Sequence, residues 1–395
     1  MRGSKMDNQP QIVGWAHTKF GKAPEEDLTE LMGVVVPEAL DHAGIGAADV
    51  DGIFVGAYNN GFSKQAFEGA LVGMAVPELA HVPAVHLENA CATGSAALYA
   101  ALDFIAAGRG RIALVVGGEK MTATPGPEVG DILLTASYRA EEGDIDGGFA
   151  GVFGQIANRY FQQHGDHSQE LAMIAAKNHE NGMRNPYAHM QKPFTAEFCN
   201  TVSDKNPLVA GPLRRTDCSL VSDGAAALIV AHPDVAAEMR RAIAFRAHNH
   251  VNDVLALSRR DPTEFAGPRA AWGKSLEQAG LALDDLDMVE THDCFTIAEL
   301  LEYEAMGLAE RGQGGRVIRE GITVRDGRLP VNPSGGLKSR GHPIGATGVS
   351  QHVMASMQLM GEAGDMQLDD VQLAGVFNMG GAAVASYVSI LERVK

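Results

Sequence analysis

The sequence predicts a layered α/β molecule built from one unit used twice, and three observations carry that expectation. Apolar runs of strand length alternate with helical patterns along the whole chain, the signature of mainly parallel sheets covered by helices. Residues 39–56 (ALDHAGIGAADVDGIFVG) and 275–290 (SLEQAGLALDDLDMVE) share one plan. In each, a helix ends in Ala-Gly, an acidic turn follows, and a short apolar run suits a buried strand. The length of 395 residues exceeds one simple core and calls for two or three packed units.

The elements follow in order. Gly44 and Gly280 stand just past the two repeated helices, where a left-handed backbone is inexpensive only for glycine. Leu114–Gly118 matches Leu373–Asn378 as a strand, and the run from Asp223 to Val230 matches the run from Gly380 to Val388. The first of these last two runs lies about a hundred residues later than the duplication would place it, far beyond ordinary connections. The first half therefore carries an insertion over roughly residues 121–220. It holds helical periodicity at 149–164 and 168–182 and the cations Lys177, Arg184, Lys192, Lys205, Arg214 and Arg215. It reads either as a lid bringing positive charge over a site or as a solvated helical excursion. The expected organisation is a leader over 1–10, a first half over 11–120 plus 221–240, the insertion, and a second half over 241–395.

Composition excludes several classes of function. The formal net charge of −17 disfavours nucleic acid and anionic membrane as partners, although local cations can still hold an anionic ligand. Aromatics make up only 6%, too few for a stacking platform. No apolar run is long enough to span a bilayer, and no signal peptide follows Met1–Lys5, so a cytoplasmic location is expected. The cysteines Cys91, Cys199, Cys218 and Cys294 fit no zinc spacing and no disulfide frame, which points to reduced thiols and no metal site.

Three places carry chemistry. Val82–Leu87 forms a strand, Glu88-Asn89-Ala90 turns, and Cys91-Ala-Thr-Gly-Ser-Ala-Ala opens a helix that stops at Gly108. A thiol at a helix N-terminus lies near the positive end of the dipole and near free N–H groups, both of which favour the thiolate. Thr291-His292-Asp293-Cys294-Phe295 forms a second strand-to-helix junction, the position where α/β folds place ligands. The segment from Asn332 to Thr347 is rich in Gly and Pro and lacks the ending of a nucleotide P-loop. Its His342 is an imidazole able to take a thiol proton from Cys91.

Together, Asn89-Ala-Cys91-Ala-Thr-Gly-Ser, His292-Asp-Cys294-Phe, Asn332-Pro-Ser-Gly-Gly and Gly341-His342-Pro-Ile-Gly-Ala-Thr-Gly resemble the thiolase superfamily, more narrowly its sterol-carrier-protein type, in order and over nearly the whole chain. The resemblance implies a duplicated five-layer α-β-α-β-α fold with a loop domain inserted in the first half. It implies acyl transfer on coenzyme A thioesters: 3-oxoacyl-CoA and CoA giving acyl-CoA and acetyl-CoA, or the reverse Claisen condensation, with no metal or redox cofactor. Cys91 would take the acyl group and His342 would activate it. His292 would serve one oxyanion hole, the amides of Cys91 and Gly380 the other, and Cys294 would move the acetyl proton. The last assignment follows from a departure: most thiolases carry a cysteine where this chain has Asn378. Coenzyme A would lie on the insertion, with Arg214, Ser219, Ser334 and Gly335 as contacts. The resemblance also implies a homodimer or homotetramer. Two alternatives stand beside it: an enzyme dependent on a zinc-ribbon/OB-fold partner and acting on aromatic, steroid or polyketide substrates, and a non-catalytic binding protein on this fold.

Overall fold

The computed structural model describes residues 9–58 and 61–395, so residues 1–8 of the leader expected over 1–10 lie outside the described residues. The first half contributes β1 (Gln11–His17), α1 (Leu28–Ala43), β2 (Gly52–Gly56), α2 (Glu68–Ala75), β3 (Ala84–Leu87), α3 (Thr93–Ala106) and β4 (Ile112–Glu119). The inserted stretch follows, with α4 (Gly126–Leu134), α5 (Gly148–His164), α6 (Ser168–Gly182) and a short hairpin of β5 (Leu208–Ala210) and β6 (Leu213–Arg214). Then come β7 (Gly224–Ala231), β8 (Ile243–Asn252), α7 (Ala266–Ala279), β9 (Met288–Glu290), α8 (Thr296–Met306), α9 (Thr347–Met360), β10 (Leu373–Gly380) and β11 (Ala385–Arg393).

The duplication is visible in the strand order β3-β2-β4-β7-β1-β8-β11-β10-β9. Each half repeats one plan. β2 runs parallel to β4, and β9 runs parallel to β10. The antiparallel partner of β4 is β7, and that of β10 is β11. Val331 pairs in parallel with Val289, where β3 lies beside β2 in the first half. Among the described residues the strands of the two halves pair through β1 and β8, at Gln11↔Ala244 and Ile12↔Ile243. Gly44 and Gly280 adopt φ of 75° and 67° as their helices end, the left-handed conformation expected of both.

Side-chain alternation along the strands sorts the core into layers. Val13, Val55, Leu114, Val116 and Ile229 pack with α1 and α2 on one outer face. Their neighbours Ile12, Phe54, Val115 and Leu228 face inward with α3 and α9, and so do Val376 and Tyr387 of the second half. Phe377, Met379, Val388 and Ile390 face the opposite outer layer, which holds α7 and α8. The order is thus helices, sheet, helices, sheet, helices. The insertion packs onto this last layer: Phe149, Phe153, Ile156 and Tyr160 of α5 share a core with Phe295, Ile297 and Leu301. The Phe153 and Phe295 rings stack at 4.5 Å.

In the middle layer α3 and α9 approach so closely that glycine is required. A Cβ on Gly94 would fall 2.7 Å from the Val349 amide nitrogen. A Cβ on Gly348 would collide with the Ser95 amide and the Asn378 side chain. Gly348→Ala should therefore lower stability by about 1–3 kcal/mol, the usual cost of overfilling a packed core. Urea unfolding checks this; an unchanged midpoint would show that the two helices part easily.

Candidate active site

The chemistry-bearing groups stand at or near the boundaries of strands and helices. Cys91 follows β3 and precedes α3, His292 follows β9, His342 precedes α9, and Asn378 lies near the end of β10. The fold brings them together. The Cys91 sulfur and one ring nitrogen from each of His292 and His342 lie within 4.8 Å of one another. The two imidazoles meet nearly edge to face, with centroids 5.0 Å apart and planes at 83°. All three residues are buried.

Each ring is fixed by its Nδ1. His342 Nδ1 lies 2.6 Å from the Thr347 hydroxyl, which donates its own hydrogen to the Pro343 carbonyl at 2.8 Å. His292 Nδ1 lies 2.9 Å from Asn378 Nδ2, which also donates to the Cys91 carbonyl at 3.1 Å. The Asn378 Oδ1 accepts from Ser95 Oγ at 2.8 Å. Neither His292 Nε2 nor His342 Nε2 has a hydrogen-bond partner among the described residues.

The loops bearing these rings are tied together by buried charge. Arg340 pairs with Glu290 at 2.9 Å, both wholly buried, and Glu290 also accepts from the Ser334 amide and hydroxyl. Asp293, between His292 and Cys294, accepts from the amides of Leu337 and Lys338 and from Asn178. Lys177 of α6 pairs with Glu299 at 2.8 Å and donates to the Val331 carbonyl. The segment carrying His292 is thus pinned to the segment carrying His342, and the insertion is pinned to both.

Several expectations need correction. A helix N-terminus was expected to favour the Cys91 thiolate, but desolvation outweighs it. Burial pushes the thiol up to about 12, against the opposing pull of the Gly381 and Cys91 amides. Burial, helped by the Arg340 charge, takes His342 down to about 3. The resting pair is thiol and neutral imidazole, not an ion pair. Gly380, beside Gly381, packs against the Asn89 carbonyl. Arg214 is no free cation: its guanidinium pairs with Asp217 at 2.8 Å and donates to Asn200 and to the Ser168 carbonyl. Lys177 is likewise consumed internally. Ser334 serves Glu290, and Gly335 abuts Gly182, so both brace the scaffold. Of the four proposed coenzyme contacts, only Ser219 adjoins the site, its amide donating to the Cys294 carbonyl at 2.9 Å.

Cys294 is buried, and its thiol is held well above the usual range by burial and then by the nearby Cys91 charge. It stays protonated and able to give a proton. A pocket of about 200 Å³, whose lining includes Tyr58, Asn89, Ala90, Gly380 and Gly381, opens beside the turn that precedes Cys91. Tyr58, Ser95, Thr347 and Gly381 escaped the sequence reading. Thr347 and Ser95 stood inside the quoted motifs, but only the folded geometry pairs them with His342 and Asn378.

Cys91, His292 and His342 also have the composition of a metal triad. Metal-bound histidines usually donate their second N–H to an acceptor. Here His292 Nδ1 faces an amide donor, an arrangement that suits a hydrogen-bond donor at Nε2 better than a ligand. None of the helices among the described residues is long and apolar enough to cross a membrane.

A buried thiol flanked by two oriented imidazoles has the parts that covalent catalysis by a thiol requires. The chain belongs to the thiolase family: the family's N-terminal domain matches residues 11–234 and its C-terminal-like domain matches residues 248–393. It is an acyltransferase of thiolase type that works on coenzyme A thioesters. It is 35% identical to an acetyl-CoA acetyltransferase of Methanothermobacter thermautotrophicus over 97% of this chain and 99% of that one. It is 31% identical to sterol carrier protein 2 of Bos taurus over 96% of this chain and 72% of that one. Among solved structures, the fold matches a chain of the Ltp2-ChsH2(DUF35) aldolase with a TM-score of 0.81 at 20% identity, covering 99% of each.

The electrostatics give a test. Alkylation of Cys91 by iodoacetamide needs the thiolate, so its rate should climb about tenfold per pH unit from 7 to 10 without levelling. Peptide mass spectrometry reads the site. A plateau near neutrality would mean that the ion pair pre-exists.

Proposed function

We propose that the chain interconverts 3-oxoacyl-CoA plus CoA with acyl-CoA plus acetyl-CoA through an acyl-enzyme on Cys91. The observation that carries this reading is the meeting of the Cys91 sulfur with ring nitrogens of His292 and His342. In the cleavage direction, His342 Nε2 takes the thiol proton as the sulfur attacks the 3-keto carbon. The bond between C2 and C3 then breaks, leaving the acyl group on sulfur and acetyl-CoA as its enolate. Cys294 gives the enolate carbon a proton. The proton that His342 took from Cys91 passes to Cys294 and restores its thiol. A second CoA thiol then attacks the acyl-enzyme and gives its proton to the freed His342 Nε2, and that proton returns to the departing Cys91 sulfur.

Both steps place negative charge on oxygen in a dry site, where fixed donors act strongly. The amides of Cys91 and Gly380 serve the attacked carbonyl, with Gly381 completing the turn that presents them. His292 serves the thioester oxygen of the acetyl unit. Residues 121–220 hold the coenzyme, and Ser219 is the contact nearest the reacting carbons. The flanking stretches act as two thiolase halves, and the active assembly is a homodimer or homotetramer in the cytoplasm.

A second reading is an enzyme complete only with a zinc-ribbon partner, for which the likeness to a chain of the DUF35-containing aldolase speaks. Turnover by the purified chain alone would oppose it. A purely binding role sits poorly with four reactive side chains gathered in one buried site.

Intact-mass analysis after incubation with a panel of acyl-CoA thioesters tests the first reading. The wild type should retain an acyl group, and Cys91→Ala should retain none. Cys294→Ala should still be acylated but should lose roughly 10²–10⁴-fold in exchange of the acetyl methyl protons, the usual worth of a general acid or base. Normal turnover in Cys91→Ala would overturn the reading.

A further inference from the structure

The proposed chemistry asks opposite things of two identical side chains. His342 must present a lone pair to a proton, while His292 must present a hydrogen to an oxygen. Both are neutral imidazoles, because burial and the Arg340 charge hold each far below the usual range. Their difference must therefore lie in which ring nitrogen carries the hydrogen.

The Asn378 amide decides this for His292. One of its two polar atoms lies 3.1 Å from the Cys91 carbonyl. That carbonyl can only accept, so the facing atom is the nitrogen and Oδ1 turns to Ser95 Oγ at 2.8 Å. The second hydrogen on Nδ2 points to His292 Nδ1 at 2.9 Å, which must be bare to receive it. The ring hydrogen is then on Nε2, a buried atom that the described residues leave unpartnered. For His342 the logic reverses: the Thr347 hydroxyl has given its hydrogen to the Pro343 carbonyl, so it accepts from Nδ1–H and leaves Nε2 bare.

We propose that Asn378 is a positioning residue that locks His292 in the Nε2–H tautomer, so that two histidines side by side act as one donor and one base. The inference rests on the acyl-transfer reading of this site and adds the device that gives each ring its part. It also gives a purpose to the asparagine at a position where most thiolases are expected to carry cysteine. An amide cannot shuttle the proton, but it can dictate the polarity of the ring that faces the oxyanion.

The test uses the full chain with 15N-labelled histidine and long-range proton–nitrogen correlation spectra. The wild type should show a bare Nδ1 and a protonated Nε2 for His292, and the reverse for His342. A His292 carrying its hydrogen on Nδ1 would overturn the proposal. Asn378→Asp is nearly isosteric and, once ionised, can only accept, so above the pKa of its carboxyl it should move the His292 hydrogen to Nδ1. Exchange of the acetyl-CoA methyl protons should then fall roughly 100-fold, the usual effect of losing one oxyanion donor, while Cys91 is still acylated. Asn378→Ala removes the donor without adding an acceptor, so its loss should be smaller. A merely structural role would reverse that order, because alanine leaves a cavity and aspartate does not. If Asn378→Asp fails to fold, the alanine variant decides: a new Nδ1–H signal supports the lock, and an unchanged His292 spectrum overturns it. Absence of any acyl group on wild-type Cys91 would sink the functional reading by a different measurement and leave the tautomer result standing on its own.

Discussion

The structure depends on the near-contact of two helix N-termini across the centre of the molecule. α3 and α9 are the repeated element of the two halves, and they meet where Gly94 lies against Val349 and Gly348 lies against Ser95. Gly117 of β4 abuts the Gly345 carbonyl for the same reason. Without side chains at these points the backbones reach separations that any Cβ would forbid. Cys91 precedes one helix and His342 precedes the other, so the approach of the helices is also the approach of the thiol and the imidazole. A constraint on packing is here a constraint on chemistry.

The approach alone does not aim the rings. That falls to charges placed where water cannot reach. Glu290 and Arg340 form a fully buried pair, and Asp293 accepts two amides of the loop that leads to His342. Buried pairs of this kind contribute little net stability, because desolvating the ions offsets their attraction. Removing one partner is nonetheless costly, since a lone charge is stranded. Such a network acts less as a stabiliser than as a jig: alternative loop placements leave ions unpaired and are rejected. The insertion joins the same jig through Lys177 and Asn178, which explains how a long excursion from the first half comes to rest on the second.

This division of labour explains what the sequence disclosed. The duplication was legible because glycine caps and apolar strand runs are local signals, and Gly44 and Gly280 adopt the backbone they imply. The insertion and its two long helices were legible for the same reason. Cys91, His292, Cys294 and His342 stood out because each lies in a motif of unusual composition. Whether a cation faces water or a buried carboxylate is decided by residues distant in the chain, and so Arg214 and Lys177 were read outward although both point inward. The thiol's protonation was misjudged likewise. A helix N-terminus is a local feature, whereas the depth of burial that overrides it belongs to the whole fold.

A closed site that holds its nucleophile as a thiol and its base as a neutral imidazole has no charge to neutralise before substrate arrives. Charge develops only during bond making, when the sulfur's proton moves to His342 as negative charge gathers on the substrate oxygen. In the proposed reaction the fixed amides would face that charge, and the His292 N–H the enolate oxygen that follows, without rearranging, and the low dielectric that forbids the resting ion pair would strengthen their pull. Burial and preorganised donors are therefore two sides of one arrangement. Burial raises the cost of ionising the resting pair, and the same exclusion of water makes each correctly turned hydrogen worth more. A ring turned the wrong way would present a lone pair to a developing oxyanion in that same dry space, where repulsion is magnified as much as attraction. That is why, on this reading, the orientation of one amide on β10, remote in sequence from the two rings and the thiol, bears on whether the site can act at all.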